Sequence, residues 1–213
     1  MNLPKSNKDT ALHELVDHTH PLFESFESAE TIPLGAGSNS YAYKFGSSVV
    51  KVSRKQFTDE AAYHHAAILQ GEQALLSQFV GDSLPETDYH IVPSAKETDE
   101  KQRVVSVQPF IGGIGLAEFL RQNDSDTDSF INFLKNSLAM YKSTGHIPDI
   151  GNIQTGFNVS RTRNVLINDN NVVLVDTNFG KIQRSKGAAG KMWRHGIATG
   201  ARRSLKSLTS KSA

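Results

Sequence analysis

The chain has 213 residues, of which 38% are hydrophobic and 21% charged, a composition typical of a globular protein that buries its own core. The absence of cysteine excludes disulfides, cysteine-ligated zinc and thiol nucleophiles, and suits a reducing cytosol. No apolar run approaches the roughly 18 residues of a membrane span, so we expect no membrane contact. Net charge is +1, yet residues 181–213 hold nine Lys or Arg and no Asp or Glu, which predicts a basic tail, either solvated or disordered.

Short alternating apolar runs after residue 30 predict five strands in the first half of the chain. They cover residues 32–34, 40–45, 49–52, 90–93 and 103–111. Between the third and fourth strands, Thr58 and the two acids after it predict the start of a helix that runs to about Phe79. Residues 1–30 carry only a short predicted helix, Thr10 to Asp17.

The second half of the chain is predicted to be mostly helical. Residues 115–121 form a short predicted helix, and a longer one is expected from a cap at Ser125 to about Gly145. Two short apolar strands around an Asn- and Asp-rich turn, residues 164–167 and 172–175, predict a hairpin. The order of elements predicts an α+β protein, with an antiparallel sheet lobe, a helical lobe and a ligand cleft between them.

A glycine-rich stretch, residues 34–42, joins the first two predicted strands. It superficially matches a dinucleotide fingerprint, but the third glycine position is Ser40 and a strand follows where a Rossmann fold needs a helix. Glycines between two strands suit a hairpin lid whose backbone amides approach phosphate oxygens; a simple glycine turn is the alternative. The predicted phosphate-contacting residues are Gly35, Ala36, Gly37, Ser38 and Ser40.

Lys51 lies in the third predicted strand, with its side chain on the face opposite to those of its two valine neighbours. A lysine at such a position needs an anion, and Glu72 borders the inward stripe of the predicted helix. An unpaired buried charge is costly, so we predict that Glu72 holds Lys51 for contact with nucleotide phosphates. Two independent surface charges are the alternative.

Asp176 ends the last predicted strand, and Asn164 begins the opposite arm of the same hairpin. Asp and Asn supply the hard oxygen ligands that Mg²⁺ prefers, and a hairpin brings its two ends together. We therefore predict a magnesium site at Asn164 and Asp176. In the alternative interpretation, both residues only form turns.

Several of these residues together resemble the nucleotide-binding core of eukaryotic-like protein kinases, over about residues 31–180. In chain order they are Gly35-x-Gly37, Lys51, Glu72, Asn164 and Asp176. The resemblance implies a two-lobed kinase-like fold, with an antiparallel N-lobe sheet plus one helix and a truncated, mostly helical C-lobe. The implied domains are an N-terminal extension at 1–30, the N-lobe at 31–109, and a minimal C-lobe with a basic tail at 110–213.

The resemblance also assigns roles to residues. Gln108 and Phe110 lie where the adenine-binding hinge would fall, Asn164 looks like the metal-binding asparagine of the catalytic loop, and Asp176 like the aspartate of the metal-binding Asp-Phe-Gly motif. It implies ATP and Mg²⁺ as cofactors, and catalytic roles for Lys51 and Asp176.

The sequence departs from the family at the catalytic aspartate, five residues before the asparagine. That position is Val159, which cannot accept a proton. The best substitute is Asp149, which implies that residues 150–163 are an insertion. Residues 178–180, Asn-Phe-Gly, are an alternative match to the metal-binding motif.

Only 33 residues follow Gly180, fewer than a full-length kinase places there. Such brevity resembles the minimal effector kinases that bacteria inject through type III systems, including the HopBF class that phosphorylates a host heat-shock chaperone. This resemblance implies an ATP- and Mg²⁺-dependent protein kinase, with Ser or Thr as the favoured acceptor. We expect a monomer that works in the cytoplasm, its own or that of a host, on a protein substrate such as a chaperone.

Three alternatives stay open at this stage. The first is a pseudokinase that binds nucleotide without transferring phosphate, and the second is a kinase for a small molecule. The third is nucleic-acid binding through the basic tail, where Trp193 lies among several cations. We rank nucleic acid last because one aromatic among basic residues is an unspecific signal.

Overall fold

A computed structural model describes residues 10–24, 30–37, 39–95, 101–119, 127–148, 150, 164–175 and 188–209. The chain divides into two compact units. Unit 1 comprises residues 1–70 and 86–110, and unit 2 comprises residues 71–85 and 111–213. Each unit is described below by itself.

Unit 1 is built on an antiparallel sheet of five strands in the order β1-β2-β3-β5-β4. The strands are β1 (Thr31–Ala36), β2 (Ser40–Phe45), β3 (Ser48–Ser53), β4 (Asp88–Pro93) and β5 (Gln102–Pro109). All five predicted strands are therefore confirmed, with ends that move by one or two residues. The alternation of apolar and polar residues locates them because strand side chains point to opposite faces in turn.

The N-terminal segment, residues 10–24, belongs to the core of unit 1. It contains a 3-10 helix, Leu12–Glu14, in place of the longer helix predicted from Thr10 to Asp17, and a single helical turn, α1 (Pro21–Glu24). Its apolar residues cover one face of the sheet. That cluster joins Leu12, Leu15, Val16 and Phe23 to Tyr43, Phe45, Val50, Val52, Val92 and Val105.

Arg103 on β5 fixes this segment to the sheet and is only 8% exposed. Its guanidinium donates from Nε to the Leu15 carbonyl oxygen at 2.7 Å, and from Nη1 to the carbonyl oxygens of Ser53 and Arg54 at 2.7 and 2.9 Å. Burial lowers the pKa of this guanidinium below its usual value, because a low-dielectric environment disfavours the charged form. Three carbonyl dipoles offset that desolvation, so the N-terminal segment and the sheet are linked by one buried cation.

Helix α2 (Asp59–Val80) follows β3 and begins where Thr58 and its acids predict, with the Ala62 amide donating to the Thr58 carbonyl at 2.9 Å. Its first half packs on the other face of the sheet. There Ala62, Ala66 and Leu69 form a cluster with Phe57 and Val104. Both faces of this sheet are therefore covered, at least in part, by other elements of unit 1.

Within the described residues, unit 2 combines the end of α2 with the 3-10 helix Gly81–Ser83, three α-helices and a small sheet. These elements are β6 (Ile114–Gly115), α3 (Leu116–Phe119), α4 (Asp128–Thr144), β7 (Val165–Asn168), β8 (Asn171–Leu174) and α5 (Ala188–Thr209). The sheet has the order β6-β7-β8 and is antiparallel. The core of unit 2 contains several wholly buried side chains, among them Phe130, Leu134, Met140 and Leu174.

Two predictions for unit 2 need correction. Helix α4 begins at Asp128, and its first hydrogen bond runs from the Ile131 amide to the Thr127 carbonyl, so the predicted cap at Ser125 is wrong. The basic tail is helical over residues 188–209, and its Ala198 and Ala201 are buried in the core. Alanines on one face let this helix approach its neighbour closely, a feature that the high density of cations in the sequence concealed.

The described residues thus form a mixed α and β structure with an antiparallel N-terminal sheet and helices, as the α+β prediction requires. None of the helices in the described part of the chain has both the length and the apolar content needed to cross a bilayer.

Replacing Arg103 by Met should lower the free energy of unfolding by about 3 kcal/mol, because the carbonyls of Leu15, Ser53 and Arg54 lose a charged donor. Urea denaturation measures this loss. Lys55→Met is the matched control, since Lys55 is exposed, and it should change stability by less than about 0.5 kcal/mol. Equal stability of the Arg103 and Lys55 variants would contradict the anchoring role.

Replacing Ser137 by Ala should raise the free energy of unfolding by about 1 kcal/mol. The Ser137 side chain on α4 is wholly buried, and its hydroxyl makes no hydrogen bond within the described structure. Folding therefore removes the hydroxyl from water without replacing its hydrogen bonds, and alanine avoids this loss. Thermal unfolding tests this. Ser143→Ala serves as control, because the exposed Ser143 hydroxyl bonds to the Ala139 carbonyl; a less stable Ser137 variant would refute the reasoning.

Candidate functional site

The glycine-rich stretch forms the connection between β1 and β2, as predicted. The pairing register shifts between Pro33 and Gly35, and Gly35 has a φ of +148°, a conformation that favours glycine. The Gly37 amide donates to the Ser40 carbonyl at 2.9 Å, which closes the turn. Ala36 is exposed, and Ser38 lies outside the described residues. Glycine is thus needed at position 35 for its backbone conformation, since no atom lies within 4 Å of an added Cβ.

Lys51 lies in the middle of β3 with its side chain half-buried. Val50 and Val52 are both fully buried in the cluster formed with the N-terminal segment. Because side chains alternate along a strand, their burial directs Lys51 to the opposite face of the sheet. The sequence prediction that Lys51 and its valine neighbours face opposite ways is therefore confirmed.

Small residues flank Lys51 across the sheet. Gly35 pairs with Ala42, Ala42 with Lys51, and Lys51 with Ser106, so these four positions form one cross-strand row. Gly35, Ala42 and Ser106 have short side chains, and the row continues past Ser106 to the half-buried Tyr89 on β4. Both positions that pair directly with Lys51 therefore add little bulk beside it.

The neighbouring cross-strand row ends at the predicted adenine contacts. Val49 pairs with Lys44 on one side and with Gln108 on the other, and both Val49 and Gln108 are buried. Phe110 is 38% exposed, and the Lys44 ammonium lies 4.1 Å from its ring centroid. The Phe110 amide donates to the Ser47 carbonyl at 2.7 Å, so in this structure that amide is engaged within the sheet.

In unit 2, the hairpin of β7 and β8 fixes the position of Asn164. Its turn residues Asp169 and Asn170 have φ values of 47° and 64°, as a tight two-residue hairpin requires. At the open end the Val175 amide donates to the Asn164 carbonyl at 2.8 Å. Asn164 is therefore bonded to the residue that precedes Asp176 in the sequence, while Asp176 itself lies outside the described residues.

The chain on either side of Asp149 is anchored in the core. Ile147 and Ile150 are wholly buried, and the Ile150 amide donates to the Pro148 carbonyl at 2.9 Å. Asp149 and residues 151–163 of the proposed insertion fall outside the described residues, so the substitute base stays a prediction.

Glu72 is half-buried in the second half of α2. That part of the helix belongs to unit 2, whereas Lys51 belongs to unit 1. The pairing of Glu72 with Lys51 stays a prediction.

Sequence reasoning missed a close approach at Gly113, just before β6. A Cβ added to Gly113 would lie 2.7 Å from the Ile167 carbonyl oxygen on β7, closer than side-chain carbons come to backbone atoms. Adjacent glycines at 112 and 113 were the available signal, because paired glycines mark places where two backbone segments meet. Gly113 thus permits β6 to pair with the hairpin that begins beside Asn164.

No protein-family model and no curated protein matches the sequence. Among 68 chains of solved structures that match, one is a MAP kinase from Leishmania major, with 15% identity and a TM-score of 0.38. The likeness covers 78% of this chain and 53% of the kinase, so the chain spans about half the length of that protein. A TM-score below 0.5 does not establish a common fold, and the case for function depends on the residues of the chain itself.

Gly113→Ala should lower the free energy of unfolding by roughly 1–3 kcal/mol, because the new methyl group must displace the Ile167 backbone. Gly112→Ala is a matched control, since no atom lies within 4 Å of the corresponding Cβ. Thermal unfolding of the two variants measures the difference. Equal stability of the two variants would contradict the close approach of Gly113 to the Ile167 backbone.

Proposed function

We propose that this chain is an ATP- and Mg²⁺-dependent protein kinase that transfers the γ-phosphoryl group of ATP to a protein hydroxyl. The observation that carries the proposal is the cross-strand row of Gly35, Ala42 and Lys51 in unit 1. A lysine on the third strand, next to a glycine-rich connection between the first two strands, is the arrangement with which protein kinases hold nucleotide phosphates. The helix that follows this strand carries Glu72, the residue type that orients the lysine in that family.

In the proposed site each residue has a distinct role. The glycine-rich stretch, residues 35–40, lies over the phosphates, with its turn closed by the bond from the Gly37 amide to the Ser40 carbonyl, and Lys51, oriented by Glu72, neutralises phosphate charge. The adenine lies against Gln108 and Phe110. These interactions position the γ-phosphorus for in-line attack, and positioning together with charge neutralisation supplies most of the rate.

Asn164 and Asp176 are the proposed Mg²⁺ ligands. Their oxygens fit a hard cation, and the hydrogen bond between Asn164 and Val175 supports the fit, because it fixes Asn164 beside the chain position that leads into Asp176. When bound, Mg²⁺ would neutralise charge on the phosphate oxygens.

Asp149 is the proposed base. It accepts the proton of a Ser or Thr hydroxyl as the hydroxyl oxygen bonds to the γ-phosphorus and the bond from that phosphorus to the β–γ bridging oxygen breaks, so ADP leaves. Ile147 and Ile150, near this residue in the chain, are wholly buried, which anchors the described chain on both sides of it.

Purified protein incubated with γ-labelled ATP, Mg²⁺ and a eukaryotic cell lysate should transfer label to protein. Lys51→Ala and Asp176→Ala should each reduce transfer by at least about a hundredfold, whereas Lys55→Ala, which removes an exposed lysine two residues after β3, should retain it. Full transfer by either of the first two variants would contradict the proposed site. Circular dichroism of each variant controls for folding.

The protein substrate is proposed from the resemblance to secreted effector kinases alone. A purified host heat-shock chaperone is therefore a separate arm of the same experiment, with mass spectrometry to identify the modified residue. Label in lysate proteins but none in the chaperone would retain the kinase and reject this substrate.

A pseudokinase is the second candidate, and Val159 at the expected position of the catalytic aspartate favours it. A rise in melting temperature with ATP and Mg²⁺ without any label transfer would select it over the kinase, because binding to the folded state stabilises whether or not chemistry follows. Transfer to a sugar or an antibiotic, with none to protein, would instead select a small-molecule kinase.

A further inference from the structure

Helix α5 carries buried alanines and exposed basic residues on adjoining faces. Ala198 and Ala201 are wholly buried in the core of unit 2. The side chains of His195, Arg202, Arg203 and Lys206 are exposed. Three of these side chains share one side of the helix, because Arg202 follows His195 by seven residues and precedes Lys206 by four. A basic stripe therefore follows the solvent side of α5.

This basic stripe has few acids near it in the chain. The sequence of α5 contains no Asp or Glu, and that of α4, which packs against it, contains only Asp128, in its first turn. Lys142 lies at the opposite end of α4, in its last turn. The cations of α5 thus have no acid on their own helix with which to form the usual pairs three or four residues apart.

A groove between α4 and α5 is lined by one of these cations, Arg202, together with Lys142 of α4. Its volume is about 610 Å³, within the size range of ligand pockets. It is lined by Leu138, Ala139, Tyr141, Lys142, Gly145 and Arg202. The lining combines one cation from each helix with an apolar wall from α4, and none of the described lining residues is a carboxylate.

We propose that this groove binds an acidic peptide segment of a protein partner, in which carboxylates alternate with apolar side chains. Carboxylates of the segment would pair with Lys142 and Arg202, and an apolar side chain would lie against Leu138 and Tyr141. Apolar lining favours a peptide over nucleic acid, because a polynucleotide gains affinity chiefly from phosphate contacts along a stripe and from stacking on several aromatics. This groove belongs to unit 2 alone, and the proposal does not depend on the kinase activity.

Fluorescence anisotropy with a short labelled peptide of alternating Glu and Leu tests the groove directly. We expect saturable binding to the full chain, and no binding of the same peptide with every Glu changed to Gln. Lys142→Gln and Arg202→Gln should each weaken binding by about fivefold or more. Arg203→Gln removes the same charge from the next residue, outside the groove lining, and should weaken binding by less than about twofold.

Circular dichroism and thermal unfolding verify that each variant is folded, which the exposure of Lys142, Arg202 and Arg203 favours. Three results would overturn the proposal. The first is an absence of saturable binding, and the second is equal weakening by Arg202→Gln and Arg203→Gln, which would indicate diffuse attraction to the basic stripe. A third is tighter binding of a single-stranded RNA or of phosphatidylserine vesicles than of the peptide, with the same dependence on Lys142 and Arg202.

Discussion

The burial of alternate residues on β3 is the constraint on which the candidate site depends. Val50 and Val52 have no exposed surface because the N-terminal segment covers them, and each contributes about 1.5–3 kcal/mol of hydrophobic stabilisation. A slip of one residue in the strand register would turn both valines away from the N-terminal segment and bury the Lys51 ammonium beneath it instead. The packing of the N-terminal segment, held by Arg103, therefore determines which face of the sheet the lysine occupies. A residue pattern that stabilises the core thus also positions the proposed phosphate contact.

Unit 2 positions its proposed site residues by a different physical device. Close backbone approach at Gly113 joins β6 to β7, a tight turn joins β7 to β8, and the bond from the Val175 amide to the Asn164 carbonyl ties the ends of that hairpin. Backbone hydrogen bonds therefore fix the position of Asn164, whereas hydrophobic burial fixes that of Lys51. Helix α5 packs against α4 and buries Ala198 and Ala201, so the basic end of the chain belongs to the fold.

The sequence allowed accurate prediction of the sheet of unit 1, because period-two alternation and glycine turns are local signals. It also predicted the start of α2 and the hairpin beside Asn164. It predicted a short N-terminal helix, but only the structure reveals that Leu15 and Phe23 complete the core. Helix α5 escaped prediction for a related reason: nine cations in the last 33 residues mask the buried alanines of one face. In both cases, burial depends on packing between residues that are far apart in the sequence, and local sequence patterns do not reveal such packing.

The central claim is that Lys51 and the glycine-rich stretch of unit 1 bind the phosphates of ATP. Hydrogen–deuterium exchange, measured with and without ATP and Mg²⁺, tests it most directly because it reports on each segment separately. We predict that ATP with Mg²⁺ slows exchange at residues 35–51, and that the Lys51→Ala variant shows a much smaller effect. Unchanged exchange at residues 35–51 in the parent chain, or an equal effect in the variant, would contradict the proposed phosphate contact.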